Sequence, residues 1–266
     1  MLEFMKNKLF SKRDAVFPAR FYHNPVLPAI KAFVSGEMDI KEFMEIYKSS
    51  DEIADYLDAV VDYIEKKKIP IRRRITQMKG VNGDRPFESR SYVESFIEEY
   101  AKQFHSLFEY YKNPPKVGPY LKGCSPLTVY EANEIHGIVA DIYYQLDPTL
   151  EKTTKYWDEF DFLLDVLPGY LAGGVSSEDY VSRFILPKYP PSMKKGERKK
   201  MVREAVKQAF QRECKGYPRW IQSPEWPMGC DEQPMVYLGQ KSFGEYTEYY
   251  FKDAVTKSET TVRQCY

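Results

Sequence analysis

The segment "YPRWIQSPEWPMGCDEQPMVYLGQ", residues 217–240, marks the point at which the predicted fold changes from helix to sheet. It holds two tryptophans and four prolines. Proline fixes φ and removes a backbone donor, so these residues exclude a continuous helix over 217–234. Three strand-like runs follow, "MVYLGQ", "EYTEYYF" and "TTVRQCY", and strands joined in sequence favour an antiparallel sheet.

The residues before this segment show helical periodicity. In "DEIADYLDAVVDYIEKKK", Ser49 and Glu52 predict a capping box, and the apolar positions recur at helical spacing: Ile53, Tyr56, Leu57, Val60, Val61 and Ile64. Other predicted helices begin near Asp39, near Ser91 with Glu94, and near Thr128 with Glu131. A further helix is predicted over "GERKKMVREAVKQAFQREC", whose apolar row is Met201, Val202, Ala205, Val206, Ala209 and Phe210. The sequence therefore predicts an α+β fold, with a predominantly helical body and a small C-terminal antiparallel β-sheet.

Two proline- and glycine-rich stretches, "GVNGDRPFESR" and "YKNPPKVGPYLKGCSP", interrupt the helical part. They predict a helical N-terminal region over 1–113, a helical central region over 114–216, and a C-terminal loop and sheet over 217–266. A single domain containing all three is the alternative, because 266 residues suffice for one large domain or two modest ones.

Composition excludes several classes of protein. Lys+Arg and Asp+Glu balance at 39 each, so no global field attracts nucleic acid or anionic membranes. The first residues lack the apolar core of a signal peptide, and no apolar run is long enough to span a bilayer. The cysteines Cys124, Cys214, Cys230 and Cys265 are far apart, which is typical of reduced thiols. We expect a cytoplasmic protein that does not bind membranes.

Catalytic motifs are missing from the sequence. The histidines His23, His105 and His136 are isolated, and neither H-E-x-x-H nor a phosphate-binding glycine loop occurs. "LAGGVSSEDY" resembles a nucleophile elbow only superficially: its glycines predict a helix end, with Ser176 or Ser177 capping the next helix. His136 is interpreted as a packed, hydrogen-bonded residue, with a ligand or base as the alternative. We expect no catalytic residue, no cofactor and no metal.

Charged stretches of the sequence offer two alternative functions. In "WDEFDFLLDVLPGY", Asp158, Asp161 and Asp165 share a helical face and could form a carboxylate-dependent hydrolase site, with or without a divalent metal. A solvated acidic face explains the spacing equally well. The basic runs "IPIRRRITQMK" and "KYPPSMKKGERKK" offer phosphate contacts, but adjacent acidic helices and balanced charge favour salt-bridged surface over nucleic-acid binding.

The tryptophan-rich segment has two interpretations. In the first, Trp220 and Trp226 fill the joint between helices and sheet, while Gln222 and Gln240 satisfy backbone groups. In the second, the segment recognises a partner. "RWIQSPEWP" followed by "QPMVYLGQ" resembles a Trp-Pro/Gln pattern of bacterial SMI1/YwqG-like proteins, and "FVSGEMDIKEFMEIYKSSDEIADYL" resembles helical modules that open immunity proteins of polymorphic toxin and contact-dependent inhibition systems.

This resemblance implies an immunity protein that neutralises a cognate toxin domain by direct binding, without catalysis. Such a protein needs aromatic anchors and charges that speed encounter with its partner. Asp55, Asp58 and Asp62 recur at helical spacing, so they should share one exposed face that could dock on a basic nuclease surface, with an ordinary solvated helix face as the alternative that base rates favour. The predicted partner-binding residues are Asp51, Glu52, Asp55, Asp58, Asp62, Trp220, Gln222 and Trp226.

Overall fold

The computed structural model describes residues 17–67 and 127–266. The chain divides into two compact units, whose described parts are 17–67 with 133–155, and 127–132 with 156–266. The three-region division made from the sequence stays a prediction. Several other predictions lie outside the described residues: the helix near Ser91 and Glu94, the two proline- and glycine-rich connections, and the basic run Arg72–Arg74.

The first unit is helical in its described part. Asp39 is the N-cap predicted for the third helix, since its Oδ1 accepts a hydrogen bond from the Glu42 N–H at 2.9 Å. The capping box predicted at Ser49 is wrong, because Ser49 ends that helix and its hydroxyl donates to the Ile46 carbonyl. The helices are α1 (Ala19–Tyr22), α2 (Leu27–Ser35), α3 (Ile40–Ser49), α4 (Glu52–Lys67) and most of α5 (Val129–Leu146).

The predicted apolar row of α4 faces the core of this unit. Val61 is half-buried, and the other five residues of the row are buried. Phe33 of α2 stacks on Phe43 of α3 with ring centroids 4.0 Å apart. His136 of α5 is buried against the edge of Phe33, and its Nε2 donates to the Val34 carbonyl at 3.1 Å. His136 is therefore the packed, hydrogen-bonded histidine expected from the sequence.

The second unit begins with the first turn of α5. Thr128 and Glu131 form the predicted capping box there: the Glu131 N–H donates to Thr128 Oγ1, and the Thr128 N–H donates to Glu131 Oε2. The remaining helices are α6 (Lys155–Val166), α7 (Val175–Tyr180), which continues through a π-helical turn (Val181–Ile185) and a 3-10 turn (Leu186–Lys188), and α8 (Lys195–Ala209).

Two details of these helices differ from the sequence predictions. Neither Ser176 nor Ser177 caps α7, because the helix starts at Val175 and the buried Ser177 hydroxyl donates to the Leu171 and Gly174 carbonyls. Met201 is 40% exposed, although Val202 and Val206 of α8 and Phe210, which directly follows it, are buried as predicted. A residue at the edge of a helical stripe faces whichever neighbour the tertiary packing supplies.

The C-terminal strands form the predicted antiparallel sheet, which confirms the α+β fold class. The strands are β1 (Val236–Ser242), β2 (Tyr246–Lys252) and β3 (Glu259–Cys265), in the order β1-β2-β3. The register between β1 and β2 shifts after Tyr237, and β2 pairs with β3 without interruption. One face of the sheet is buried through Thr247, Tyr249 and Phe251. Among the described residues, no helix is long and apolar enough to cross a membrane.

Candidate functional site

Trp226, one of the predicted partner-binding residues, lies at the centre of the second unit's core. Only 1% of it is exposed. Its ring meets Phe210 and Phe251 edge to face, each with centroids 5.3 Å apart. Its Nε1 donates to the Met235 carbonyl at 2.9 Å. Trp226 therefore joins the end of α8 to the sheet, as the packing interpretation of the segment expected.

Trp220 and Gln222 are bound to neighbouring parts of the same unit. Trp220 is half-buried, its Nε1 donates to the Tyr170 carbonyl at 2.9 Å, and its ring lies 4.4 Å from that of Tyr249. Gln222 is exposed, and its Nε2 donates to the Cys265 carbonyl at 2.9 Å. Gln240 also satisfies backbone, because its Oε1 accepts the Arg219 N–H at 2.8 Å.

Gln264 on β3 is the residue that the sequence predictions missed in this loop. Its Oε1 accepts the N–H groups of Ile221 and Gln222 at 3.1 and 3.0 Å, and its Nε2 donates to the Ser223 carbonyl at 2.8 Å. Its exposure is 2%. Alternation along "TTVRQCY" places Gln264 on the same face as Val262, so a polar residue at an inward position was the available clue.

Asp253 organises the turn after β2. Its carboxylate accepts N–H hydrogen bonds from Cys230, Val255 and Thr256 at 2.7–2.9 Å. The hydrogen bond from the Cys230 N–H is the largest of the effects that lower the pKa of Asp253 to about 2. A side chain at Gly229 would displace this carboxylate, because a Cβ there would lie 2.8 Å from Asp253 Oδ2.

The acidic residues predicted for α4 lie on its outer side. Asp51, Glu52, Asp55 and Asp62 are exposed, and Asp58 is half-buried. Asp62 pairs with Lys66 at 3.3 Å, one turn later in the helix. Glu52 and Asp55 have no ion pair within the described parts of the chain. The structure thus separates the eight predicted residues: in the first unit four lie on α4 and Asp51 directly precedes it, and three lie in the loop of the second unit.

A cleft of about 410 Å³ lies beside Glu52 and Asp55. The Tyr56 hydroxyl donates to the Phe21 carbonyl at 2.7 Å, which holds α4 against α1 at this position. Burial raises the pKa of Tyr56 above its ordinary value, so the hydroxyl keeps its proton at neutral pH. The lining residues are Arg20, Phe21, Asn24, Pro25, Val26, Glu52, Asp55, Tyr56 and Ala59. We call the cavity lined by these residues the α4 cleft.

The α4 cleft combines apolar rings and aliphatic groups with two carboxylates, the Asn24 amide and one guanidinium, that of Arg20, which lies over the Phe21 ring at 5.2 Å. A lysine or arginine side chain has a matching division, with an apolar stem and a cationic head. Guanidinium groups bind carboxylates through charge-assisted hydrogen bonds, and the pair gains most where water is partly excluded. The cleft can therefore receive a basic side chain from another molecule, which Asp51 and the remaining acids along α4 would help to attract.

The carboxylates proposed for hydrolysis lie in a different environment. Asp158, Asp161 and Asp165 are all exposed on α6. Asp165 contacts Lys199 Nζ at 2.6 Å and Arg203 at 3.9 Å, and the Lys199 hydrogen bond comes first among the causes that lower its pKa. A general acid needs a raised pKa instead. No group of three metal-binding side chains occurs within 17–67 and 127–266. The hydrolase alternative gains no support from this geometry.

Part of the second predicted basic run is used within the protein. Arg198 is 4% exposed, makes two hydrogen bonds of 2.7 Å to Glu159, and covers the Phe162 ring at 4.0 Å. Lys199 pairs with Asp165. These contacts agree with salt-bridged helix surface as the interpretation of "KYPPSMKKGERKK".

A half-buried ion cluster at the π-helical turn was not foreseen from the sequence. Arg183 lies 3.8 Å from Glu131 and 3.6 Å from Asp179. Burial raises the pKa of Asp179, and the nearby Arg183 charge opposes that change. Both acids lie beside the single guanidinium, and Glu131 also caps α5. The cluster therefore fixes the start of α5 against the π-helical turn.

Comparison of the chain with protein-family models, with curated proteins and with solved structures finds no match.

Proposed function

We propose that this chain is a non-enzymatic binding protein, and specifically a bacterial immunity protein that neutralises a cognate toxin in the cytoplasm. The observation that carries the proposal is the α4 cleft, in which Glu52 and Asp55 line a cavity with Phe21 and Val26. Neither acid has an ion pair among the described residues, so both carboxylates are available to a cation on a partner.

The physical requirements of such a protein match this surface. Carboxylates in a row attract a basic partner over a distance and raise its association rate. A concave site then lets one side chain supply much of the binding energy, as hot-spot residues do at protein interfaces. The toxin we propose is a basic protein, such as a nuclease with a cationic substrate groove, that inserts a lysine or arginine into the α4 cleft.

In this proposal, the tryptophans of the loop of 217–235 do not recognise the partner. Trp226 is inaccessible, and Trp220 and Gln222 already have partners within the second unit. We therefore assign partner recognition to the acidic residues of α4 rather than to the tryptophans.

The test is capture of the partner from the native cells, followed by a protection assay. Tagged wild-type chain, a Glu52→Lys/Asp55→Lys variant and a Glu45→Lys control are compared, because Glu45 is exposed on α3 and does not line the cleft. The proposal expects one dominant partner with wild type and Glu45→Lys, strongly reduced with the double variant. Expression of that partner alone should arrest growth, and co-expression of the wild-type chain should restore it.

The outcomes separate function from site. A partner that is harmless to cells would exclude toxin neutralisation. A toxic partner that binds the double variant as tightly as wild type would leave the function standing and exclude the α4 cleft as its site.

A further inference from the structure

The outer edge of β3 is the structural feature that the proposed function does not use. The opposite edge of the sheet is paired at Tyr237, because the Tyr237 N–H donates to the Gln211 carbonyl and the Glu213 N–H donates to the Tyr237 carbonyl, both at 2.9 Å. At β3 the only described hydrogen bond to an outward backbone group is at its end, where Gln222 Nε2 donates to the Cys265 carbonyl. No described backbone pairs with the outer side of residues 259–263.

The ladder between β2 and β3 fixes which backbone groups point outward. Residues 245 and 266 flank the pair formed by Tyr246 and Cys265, and the Tyr266 N–H donates to the Glu245 carbonyl. Hydrogen-bonded pairs alternate along an antiparallel ladder. Residues 260, 262 and 264 therefore bond to β2, whereas Glu259, Thr261 and Arg263 direct their N–H and C=O groups away from the sheet.

This edge is complementary to itself. When two copies of β3 are placed antiparallel about Thr261, each Glu259 lies opposite the Arg263 of the other copy, and Thr261 lies opposite Thr261. All three positions present outward backbone groups, so they form hydrogen-bonded pairs in this register. Opposite charges at facing positions stabilise a strand pair, and like charges destabilise it.

Other registers lose this match. If one copy of β3 shifts by one residue, backbone groups that already bond to β2 lie opposite backbone groups that point outward. A shift of two residues toward the C-terminus places Glu259 opposite Cys265, whose carbonyl already accepts from Gln222. Glu259 has no ion pair among the described residues, and Lys252, its neighbour on β2, pairs with Glu213. Its carboxylate is therefore available to Arg263 of a second copy, which contacts Glu248 of its own chain through Nη2 at 2.7 Å and has no carboxylate at its other guanidinium nitrogens among the described residues.

We propose that two copies of this chain associate through β3 in an antiparallel, two-fold symmetric pair centred on Thr261, joining their sheets into one. The contact is short, so its buried area falls below the roughly 1,200 Å² of standard stable interfaces, and the dimer is weak and concentration-dependent. Sequence favours the pairing, since Thr260, Thr261 and Val262 are β-branched.

The experiment is sedimentation velocity of the full chain from about 5 to about 500 µM, a range suited to a small interface. Four variants accompany wild type: Glu259→Lys, Arg263→Glu, the double charge swap, and the control Glu204→Lys. Glu204 is exposed on α8 of the same unit, so the control makes the same change in charge away from the edge. Thermal unfolding verifies folding, because Arg263→Glu also removes the 2.7 Å contact with Glu248.

Wild type and Glu204→Lys should show the same monomer–dimer equilibrium. Each single reversal should raise the dissociation constant roughly tenfold, because two facing pairs turn from attractive to repulsive. The double swap should return it to within about threefold of wild type, since the facing charges are again opposite. A monomer at every concentration overturns the proposal. A dimer that Glu259→Lys weakens no more than Glu204→Lys does also overturns it.

Discussion

The loop of 217–235 and the outer side of α4 were both predicted to bind a partner, and the structure gives them opposite environments. In the loop, the indole N–H groups of Trp220 and Trp226 donate to backbone carbonyls, and Gln264 satisfies three backbone groups. On α4, Glu52 and Asp55 face a cleft and have no described ion pair. A segment rich in aromatic residues and proline stabilises the fold, and a chemically ordinary acidic helix carries the available charge.

The comparison separates polar groups that already form hydrogen bonds within the fold from exposed polar groups that a partner can reach. A hydrogen bond formed inside the fold must be broken before its groups bind a partner, and an unpaired buried group costs about 1–3 kcal/mol. An exposed carboxylate loses only part of its hydration when a cation approaches. Substitutions in the loop should therefore change stability, and substitutions on α4 should change binding.

The largest effect is expected at Trp226. Replacing it with alanine removes the ring that touches Phe210 and Phe251 and leaves a cavity, so we expect the free energy of unfolding to fall by about 3–5 kcal/mol. Chemical denaturation measures this change. Trp157→Ala is the control, because Trp157 is 45% exposed, and it should cost less than about 1 kcal/mol. Equal losses for the two variants would contradict the core role of Trp226.

A smaller effect is expected at Gln264. Gln264→Leu keeps the approximate volume but leaves the Gln222 N–H without its acceptor, while the Ile221 N–H keeps the Tyr249 hydroxyl. We expect a loss of about 1–3 kcal/mol in the same denaturation experiment. Gln222→Ala removes one exposed hydrogen bond and should cost at most about 1 kcal/mol. A larger loss for Gln222→Ala than for Gln264→Leu would reverse the ranking proposed for the loop.

A pH-dependent effect is expected at Asp253. Its folded pKa of about 2 lies below its ordinary value of 3.8, so the ionised carboxylate stabilises the folded state. This contribution is complete above the ordinary value and is lost as pH falls toward about 2. Wild type should therefore lose more stability between about pH 4 and pH 2 than Asp253→Asn does. Unfolding curves at several pH values measure this, and parallel profiles would show that Asp253 does not provide the stabilisation.

The smallest effect on stability is expected on α4. Asp55→Asn with Asp62→Asn should change the free energy of unfolding by less than about 1 kcal/mol, because both residues are exposed and Asp62 makes only a surface ion pair. The same variant should lower the association rate of a basic partner by roughly tenfold at low salt, and less at high salt. Stopped-flow binding measures the rate, with Glu45→Gln as control. An unchanged rate would exclude α4 as the surface that attracts the partner.

Local sequence predicted most helix and strand positions in the described residues. The apolar rows of α4 and α8, the caps at Asp39 and Thr128, and the three strands all follow from short-range spacing and side-chain chemistry. The capping predictions failed at Ser49 and Ser177, where each hydroxyl instead donates to a backbone carbonyl. A serine hydroxyl has several acceptors within reach, and the surrounding chain decides among them.

The candidate site was only half predictable. Helical spacing alone placed Asp55 and Asp62 on the outer side of α4. The sequence did not indicate that α1 and the following turn form a cleft beside Glu52, since residues 20–26 and 52–59 are distant along the chain and meet only in the fold. Composition alone also could not distinguish an aromatic anchor from a core residue, because both roles favour tryptophan.

The sequence by itself determined the helical body, the sheet and the exposed acidic face, because periodicity and proline act over a few residues. Tertiary structure decided which polar groups are already satisfied. Gln264 accepts N–H groups from residues more than 40 positions earlier, and Trp226 packs between the end of α8 and β2. The edge of β3 shows the same division: its strand propensity and charges are local, but only the order of strands leaves it uncovered within the described residues. Burial and pairing depend on contacts between distant residues, which the fold brings together.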